Sequence, residues 1–239
     1  MKNKRITEII SRLETHFETI YRPGKKKNLL DVLIAAKLSQ NTTDKTSHKA
    51  YLNLKKNFRT WEDVMKAPAS RIKKEIRICG MADTKSKDIL LMLKEIYTEY
   101  GNLTLKHLYK MTDDEIYDEM LSYKGIGKKT IACLLAFGMG RSSFPVDTHV
   151  HRILNRLGIV DTSTPEKTFE AAKEIIPDGK KVSFHVNLIK FGRSICKAPN
   201  PICGECFIYD LCSFREKIYY KDKTNGKIKE NNFIILENI

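Results

Sequence analysis

Four cysteines in the C-terminal part of the chain have a spacing that could hold a metal centre. Cys196, Cys203, Cys206 and Cys212 form the pattern C-x6-C-x2-C-x5-C, with no histidine among them. Four thiolates in one short segment are typical of a [4Fe-4S] cluster, in which each iron binds one cysteine. Zinc sites usually divide their ligands into two close pairs, and disulfides do not persist in a reducing cytosol. The spacing therefore favours a [4Fe-4S] cluster, with zinc as the alternative.

The remaining cysteines and two histidines have simpler interpretations. Cys79 and Cys133 fall inside apolar runs, which predicts that they are small buried side chains without chemistry. His149 and His151 have no carboxylate or cysteine at ligand spacing, so we interpret them as helix residues near a groove rather than as metal ligands.

A turn with two glycines carries a second group of candidate residues. Lys124, Gly125, Gly127 and Lys128 belong to the sequence K-G-I-G-K-K between two predicted helices. Glycine lets the backbone turn tightly, and the free N–H groups at the start of the next helix can point at a phosphate. A helix-hairpin-helix of this kind grips the DNA backbone without reading bases. Because glycine also turns ordinary helical hairpins, the flanking lysines are what favour DNA binding.

Lys129 and Asp147 could carry out a reaction on DNA. Lys129 lies at the start of the helix after the turn, beside Lys128, where the helix N-terminus and a second ammonium favour a neutral amine that can attack carbon. Asp147 could stabilise a sugar cation as a glycosidic bond breaks. Each also has an ordinary interpretation. Lys129 could be a solvated charge or a phosphate contact, and Asp147 could be the N-cap of the helix beginning at Thr148.

The charge of the chain indicates a polyanionic partner. Its 239 residues include 43 Lys and Arg against 29 Asp and Glu, which gives a net charge of +14 and a pI of about 9.4. Such a field attracts nucleic acid in a salt-dependent way, although biased codon usage could also produce a Lys-rich composition. The longest apolar stretches are too short and too often interrupted by charges to span a bilayer, and the N-terminus does not resemble a signal peptide. We therefore expect a cytosolic protein without a membrane partner.

Periodic apolar positions predict an almost entirely helical chain. Short connectors containing Gly, Asn, Asp and Thr separate the helices, and no strand pair with a hairpin turn is evident. The polar segment from Tyr219 to Ile239 is predicted to be a poorly ordered or loosely docked extension. The predicted helices cover residues 6–20, 29–38, 45–58, 61–66, 69–79, 85–100, 103–111, 113–122, 128–139, 148–157, 166–175 and 183–196.

Three motifs in a fixed order resemble the endonuclease III family of DNA glycosylases. They are Leu121–Ala132 (L-S-Y-K-G-I-G-K-K-T-I-A), Val146–Arg152 (V-D-T-H-V-H-R) and the four-cysteine loop. The resemblance extends from the second predicted helix to Cys212. It implies an all-α protein with a six-helix barrel domain containing the helix-hairpin-helix (27–140), a helical domain carrying the [4Fe-4S] cluster (1–26 and 141–215) and a C-terminal extension (216–239). It also implies a DNA groove between the two domains.

The resemblance assigns roles to individual residues. Lys129 matches the family's Schiff-base lysine, and Asp147 matches its catalytic aspartate. The implied partner is double-stranded DNA with a damaged base or an abasic site, bound by a monomer in the cytoplasm and associated with the nucleoid. The residues implied to contact DNA, or to fill the space of a flipped base, are Gln40, Asn41, Thr43, Met81, Lys85, Lys124, Gly125, Gly127, Lys128, Thr130 and His149.

The implied activity is that of a bifunctional DNA glycosylase and abasic-site lyase that removes oxidised pyrimidines. Two departures put the substrate in question. The family's oxidised-pyrimidine enzymes typically contain L-S-A-Q-A-T-D, whereas residues 38–44 here are L-S-Q-N-T-T-D, and Met81 replaces a leucine. An amide can still pair with the orphaned base, and methionine can still intercalate. The alternatives are a mismatch-specific adenine or thymine/uracil glycosylase and, from a different class, a non-catalytic iron-sulfur DNA-binding module.

Overall fold

The computed structural model describes residues 2–18 and 27–223, and within them all regular secondary structure is helical. The prediction of an all-α protein is therefore confirmed. Every helix in these residues is too short or too polar to cross a membrane. In chain order the α-helices are α1 (Lys2–Phe17), α2 (Leu29–Leu38), α3 (Asp44–Asn57), α4 (Trp61–Lys66), α5 (Ala69–Ile76), α6 (Ala82–Tyr100), α7 (Asp113–Leu121), α8 (Lys128–Cys133), α9 (Thr148–Leu157), α10 (Pro165–Ala172), α11 (Lys181–Ser194) and α12 (Lys217–Asp222).

The described residues form two compact units, 27–141 and 2–18 with 142–223. In the unit 27–141, α2 is the central helix, because almost all of its side chains are buried and none of its faces is left to solvent. The amide oxygen of Asn28 caps α2 by accepting a hydrogen bond of 3.0 Å from Leu30 N. Helices α3, α6 and α8 pack against α2 and thereby enclose it.

The other unit is built on α1, α9 and α11. The apolar stripe predicted for the first helix is buried at Ile6, Ile9, Ile10 and Leu13, and α1 packs against α11. Helix α11 in turn contacts α9. Arg5 joins α1 to the cysteine loop through a hydrogen bond of 3.0 Å from its Nη2 to Leu211 O.

Two predicted helices differ from the structure. Residues 103–111 contain only the 3₁₀ helix Lys106–Lys110. The side chain of Asn102 accepts a hydrogen bond of 2.9 Å from Thr104 N, which makes a local turn instead of a helix start. Helix α8 ends at Cys133 and continues as the π-helix Leu134–Gly138.

The predicted C-terminal extension begins with a helix. In α12, Lys217 Nζ donates hydrogen bonds of 3.0 and 2.6 Å to the carbonyls of Tyr209 and Cys212. Residues 217–222 are thus ordered against the cysteine loop, contrary to the prediction of a loose extension from Tyr219 onward. Residues 224–239, and Ile20 of the first predicted helix, lie outside the described residues.

Candidate nucleic-acid interface and catalytic residues

The turn between α7 and α8 is a tight hairpin. Ile126 N donates to Tyr123 O at 3.2 Å, and both side chains are buried under the turn. The hydroxyl of Tyr123 donates a hydrogen bond of 2.7 Å to the carboxylate of Glu99 on α6. This bond, together with one from Tyr100, holds the pKa of the Glu99 carboxyl below its usual range. The hairpin is therefore anchored at its first residue to α6.

Gly125 occupies a position that only glycine fits. Its φ is +79°, in the left-handed region that favours glycine. A Cβ at this position would also collide with the ammonium of Lys37 and lie 3.0 Å from Asp88 Oδ2. Lys37 is 5% exposed, pairs with Asp88 at 2.8 Å and donates a hydrogen bond of 2.9 Å to Gly125 O. A largely buried ion pair therefore contacts the hairpin on its protein-facing side.

Gly127, by contrast, faces open space. A Cβ added there would meet no heavy atom within 4 Å, and its φ of −118° is open to any residue. Gly127 is the N-cap of α8, whose first N–H groups lack partners within the helix. Lys124 and Lys128 are exposed on either side. The outer face of the hairpin thus combines accessible backbone with positive charge, as the sequence predicts.

Lys129 lies in the first turn of α8 and is half-buried. Within the described residues its ammonium has neither a hydrogen bond nor an ion pair. Thr130 differs, because its side chain is 3% exposed and its N–H donates to Gly127 O at 2.8 Å. The prediction that Thr130 contacts DNA is therefore wrong. Its hydroxyl instead lies 3.5 Å from the amide nitrogen of Gln40, which is half-buried.

Asp147 is the N-cap of α9, as its ordinary interpretation predicts. Its Oδ1 accepts a hydrogen bond of 2.8 Å from Val150 N, and the residue is half-buried. His149 is also half-buried, with Nδ1 lying 3.3 Å from Arg152 Nη2. Burial lowers the pKa of His149, and the Asp147 charge opposes that shift. The cap fixes the orientation of the Asp147 carboxylate through the backbone of α9.

Two loops predicted to fill the space of a flipped base are in contact. Asn41 and Met81 are exposed, and Asn41 Nδ2 lies 3.7 Å from Met81 Sδ. Both residues have positive φ, 51° and 50°. Thr43, two residues after Asn41, has a structural function as well, because its hydroxyl accepts a hydrogen bond of 3.3 Å from Thr46 N and caps α3.

Lys85 is not at the surface. It is 2% exposed, and its ammonium donates hydrogen bonds to Leu38 O at 2.9 Å and to Cys79 O at 3.0 Å. Burial lowers the pKa of Lys85. The prediction that Lys85 contacts the DNA backbone is wrong, because an ammonium occupied inside the protein cannot reach a phosphate.

The four cysteines of the C-terminal loop line one cavity. Apolar side chains such as Phe191 and Ile208 form much of the rest of its wall. In the described part of the chain, no three His, Cys, Asp or Glu side chains are arranged to hold a single metal ion. In a four-iron cluster each cysteine binds a different iron, so its sulfurs need not converge on one point. The four cysteines are thus grouped around one cavity, as a shared metal centre requires.

Partly buried thiols and an arginine line this cavity. Burial raises the pKa of Cys203 to about 11 and that of Cys206 to about 12, and neighbouring cysteines contribute to both shifts. Arg156 Nη1 lies 3.5 Å from Cys196 Sγ and 2.7 Å from Lys197 O. A cation bound beside these cysteines would favour their thiolate form. Cys79 and Cys133 are buried outside the loop, as predicted.

The sequence analysis missed the groups that support the hairpin. Lys37, Asp88 and Glu99 hold it from below and from the side. One signal was available, since Lys37 is, with Asp31, one of two charges inside the mostly apolar run 29–38, and a buried charge needs a partner. No local pattern identifies Asp88 as the partner of Lys37 or Glu99 as the partner of Tyr123.

A family model describing the HhH-GPD superfamily of base excision DNA repair proteins matches residues 34–178. The chain is also 34% identical to endonuclease III of Thermotoga maritima over 208 residues, which are 87% of this chain and 91% of the relative. It therefore belongs to the endonuclease III family within that superfamily.

Two solved structures have a similar fold. One is a trapped covalent endonuclease III–DNA intermediate with an estranged adenine, with a TM-score of 0.77. The other is a non-covalent endonuclease III–DNA complex, with a TM-score of 0.75. In each case the identity is 27%, and the match covers 91% of this chain and 97% of the other.

Proposed function

We propose that the protein is a bifunctional DNA glycosylase and abasic-site lyase of base excision repair that removes oxidised pyrimidines from double-stranded DNA. The observation that carries this proposal is the position of Lys129. Its ammonium is unpaired among the described residues, and the residue lies in the first turn of α8, immediately after the hairpin. The outer face of that hairpin is suited to phosphate. The endonuclease III relatives, one of them trapped covalently on DNA, support the same reaction type.

The first proposed step is extrusion of the damaged nucleotide. Flipping costs a few kcal/mol, and less where pairing or stacking is already impaired. Asn41 and Met81 fill the vacated space, the amide pairing with the orphaned base and the thioether intercalating. Lys124, Lys128 and the hairpin N–H groups hold the backbone, which makes binding sensitive to salt.

The second proposed step breaks the glycosidic bond. The neutral amine of Lys129 attacks C1′ of the sugar, and the base leaves with the bonding electrons and takes up a proton. The carboxylate of Asp147 stabilises the positive charge that develops on the sugar. Loss of the second amine proton and opening of the sugar ring convert the adduct to an imine.

The third proposed step cuts the strand. The imine makes the C2′ proton acidic, because the electrons left behind can delocalise onto nitrogen. Loss of that proton breaks the C3′–O bond, and the 3′ phosphate leaves with those electrons. Hydrolysis of the imine then releases Lys129 for another cycle.

We further propose that Cys196, Cys203, Cys206 and Cys212 hold a [4Fe-4S] cluster. When bound, the cluster would be held by the four cysteines as thiolates and would cross-link the loop. The proposed domains are the six-helix barrel (27–140), the cluster domain (1–26 and 141–215) and an extension from residue 216. The protein is proposed to act as a monomer in the cytoplasm, on the nucleoid.

Excision measured on a panel of duplexes tests the substrate assignment. The panel contains thymine glycol, 5-hydroxycytosine, uracil, 8-oxoguanine, mismatched adenine, mismatched thymine and a plain abasic site. We expect excision of both oxidised pyrimidines coupled to strand cleavage. Faster removal of undamaged adenine or thymine from mismatches would support the mismatch glycosylase instead. Binding without any cleavage, abasic sites included, would support the non-catalytic module.

A further inference from the structure

Asn41 and Met81 share an unusual backbone conformation on two separate loops of the unit 27–141. Residues other than glycine rarely adopt positive φ, and they keep it only where the surrounding structure holds them. The side chains of these two residues are exposed yet lie 3.7 Å apart. Something beneath the two loops must therefore fix them relative to each other.

The ammonium of Lys85 joins the two loops from inside. Its hydrogen bonds end on Leu38 O, three residues before Asn41, and on Cys79 O, two residues before Met81. Leu38 is the last residue of α2, and Cys79 is the last residue of the 3₁₀ helix Arg77–Cys79. Carbonyls at helix ends lack partners within their helix, so one charged donor satisfies both.

The backbone of Lys85 is part of a helix. It lies in the first turn of α6, and its own N–H donates to Met81 O at 2.9 Å. Among the described residues its ammonium makes no ion pair with a carboxylate, and it lies 3.7 Å from the Cys79 thiol. An apolar side chain would avoid the cost of burying this charge. What the ammonium adds is the fixed geometry of the two loops.

We propose that Lys85 is a positioning residue that sets Asn41 and Met81 together, so that they enter the space of an extruded base as one unit. The inference rests on the proposed function, because it presumes that these two loops replace a flipped base. It concerns the extrusion step and not the chemistry at Lys129.

Lys85→Met tests this role because methionine fills a similar volume without the hydrogen bonds. Single-turnover excision of thymine glycol paired with adenine is compared with cleavage of an abasic site in the same sequence. The abasic site has no base to unstack and so depends less on the loops. We expect excision to slow by about tenfold or more while abasic cleavage stays within about threefold of wild type.

Trp61→Phe is the matched control in the same unit. It removes the hydrogen bond of 2.8 Å from Trp61 Nε1 to Asp31 and leaves both loops untouched. We expect the ratio of its excision rate to its abasic-cleavage rate to equal that of the wild type. If Lys85→Met slows both reactions by the same factor, or slows neither, the positioning role is refuted. Should Lys85→Met not fold, Lys85→Leu, which also lacks a donor, is judged by the same ratio.

A fluorescence measurement separates this inference from the proposed function. In a Lys129→Ala background, 2-aminopurine is placed opposite a stable abasic analogue, and its emission is followed on binding. Insertion of the loops should change the emission, and Lys85→Met should abolish at least about half of that change at saturating protein. An unchanged signal would overturn the inference. A wild-type protein inactive on every duplex would overturn the proposed function, while this measurement would still decide the role of Lys85.

Discussion

Lys37 donates a hydrogen bond of 2.9 Å to the carbonyl of Gly125 and thereby supports the hairpin from within the protein. Its charge is balanced by Asp88 at 2.8 Å, and both side chains are largely buried. Because the ammonium occupies the space beside the Gly125 Cα, the two glycines of the hairpin have different functions. Gly125 is required by the protein, whereas the open side of Gly127 is available to a ligand.

Alanine at the two glycines should therefore give different results. Gly125→Ala introduces a left-handed alanine and a collision with Lys37, so we expect it to lower the free energy of unfolding by about 1–3 kcal/mol. Gly127→Ala should change it by less than about 1 kcal/mol but weaken DNA binding, since its methyl group would project from the outer face. Urea denaturation and DNA titration measure the two effects. Equal destabilisation by both substitutions would contradict this division.

Lys129→Ala should abolish covalent trapping. Borohydride reduces an imine, so the wild-type protein should form a stable adduct with abasic DNA, visible by denaturing electrophoresis. Lys128→Ala is the matched control, because it removes the adjacent exposed lysine of the same turn. We expect that variant to bind more weakly and still be trapped. Undiminished trapping of Lys129→Ala would place the nucleophile elsewhere.

Substitutions of Asp147 should distinguish its structural role as the N-cap of α9 from the role of its negative charge in excision. Asp147→Asn keeps an oxygen for Val150 N, so stability should change by less than about 0.5 kcal/mol, whereas Asp147→Ala should cost about 1 kcal/mol. Both should slow excision by about 100-fold or more, since each removes the negative charge. Thermal denaturation and single-turnover kinetics provide the measurements. Full activity of Asp147→Asn would reduce the residue to a helix cap.

The purified protein should contain iron in the cysteine loop. We expect about four irons per chain, a yellow-brown colour and broad absorption near ~400 nm. Cys206→Ser should lose iron and stability, whereas Cys133→Ser, at a buried cysteine outside the loop, should keep its iron. Metal analysis of protein prepared without oxygen checks this. Stoichiometric zinc with no iron would replace the cluster assignment.

The hydrogen bonds that Glu99 accepts from Tyr123 and Tyr100 should make the free energy of unfolding depend on pH in the acid range. Hydrogen bonds from Tyr123 and Tyr100 lower the pKa of the Glu99 carboxyl in the folded protein. Its stabilisation is therefore present above the unfolded pKa of about 4.3 and is lost as the pH falls through the lower folded pKa. The Tm of Glu99→Gln and of Tyr123→Phe should fall less steeply than that of wild type below about pH 4.3. If Tm falls equally steeply with pH in the wild type and in both variants, these hydrogen bonds do not contribute to the pH dependence of stability.

Helices, hairpin and cysteine loop could be predicted from the chain because each depends on neighbours a few residues apart. Apolar periodicity located α1, α2 and α9, and K-G-I-G-K-K located the turn at Gly125. The N-cap role of Asp147 was likewise a local pattern. The predictions failed where a nearby side chain competed with the helix, as at Asn102.

The environment of each lysine could not be predicted in this way. Lys85 and Lys129 are both lysines near a helix start, yet one is buried with two carbonyls and the other is half-buried without a partner among the described residues. Whether an ammonium faces solvent or satisfies helix ends depends on which segments pack over it, and those segments are far apart in sequence. Lys37, Asp88 and Gly125 meet for the same reason. Contacts between segments that are distant in sequence determine the environment of these charges. Such contacts produce no periodic sequence pattern from which they could be predicted.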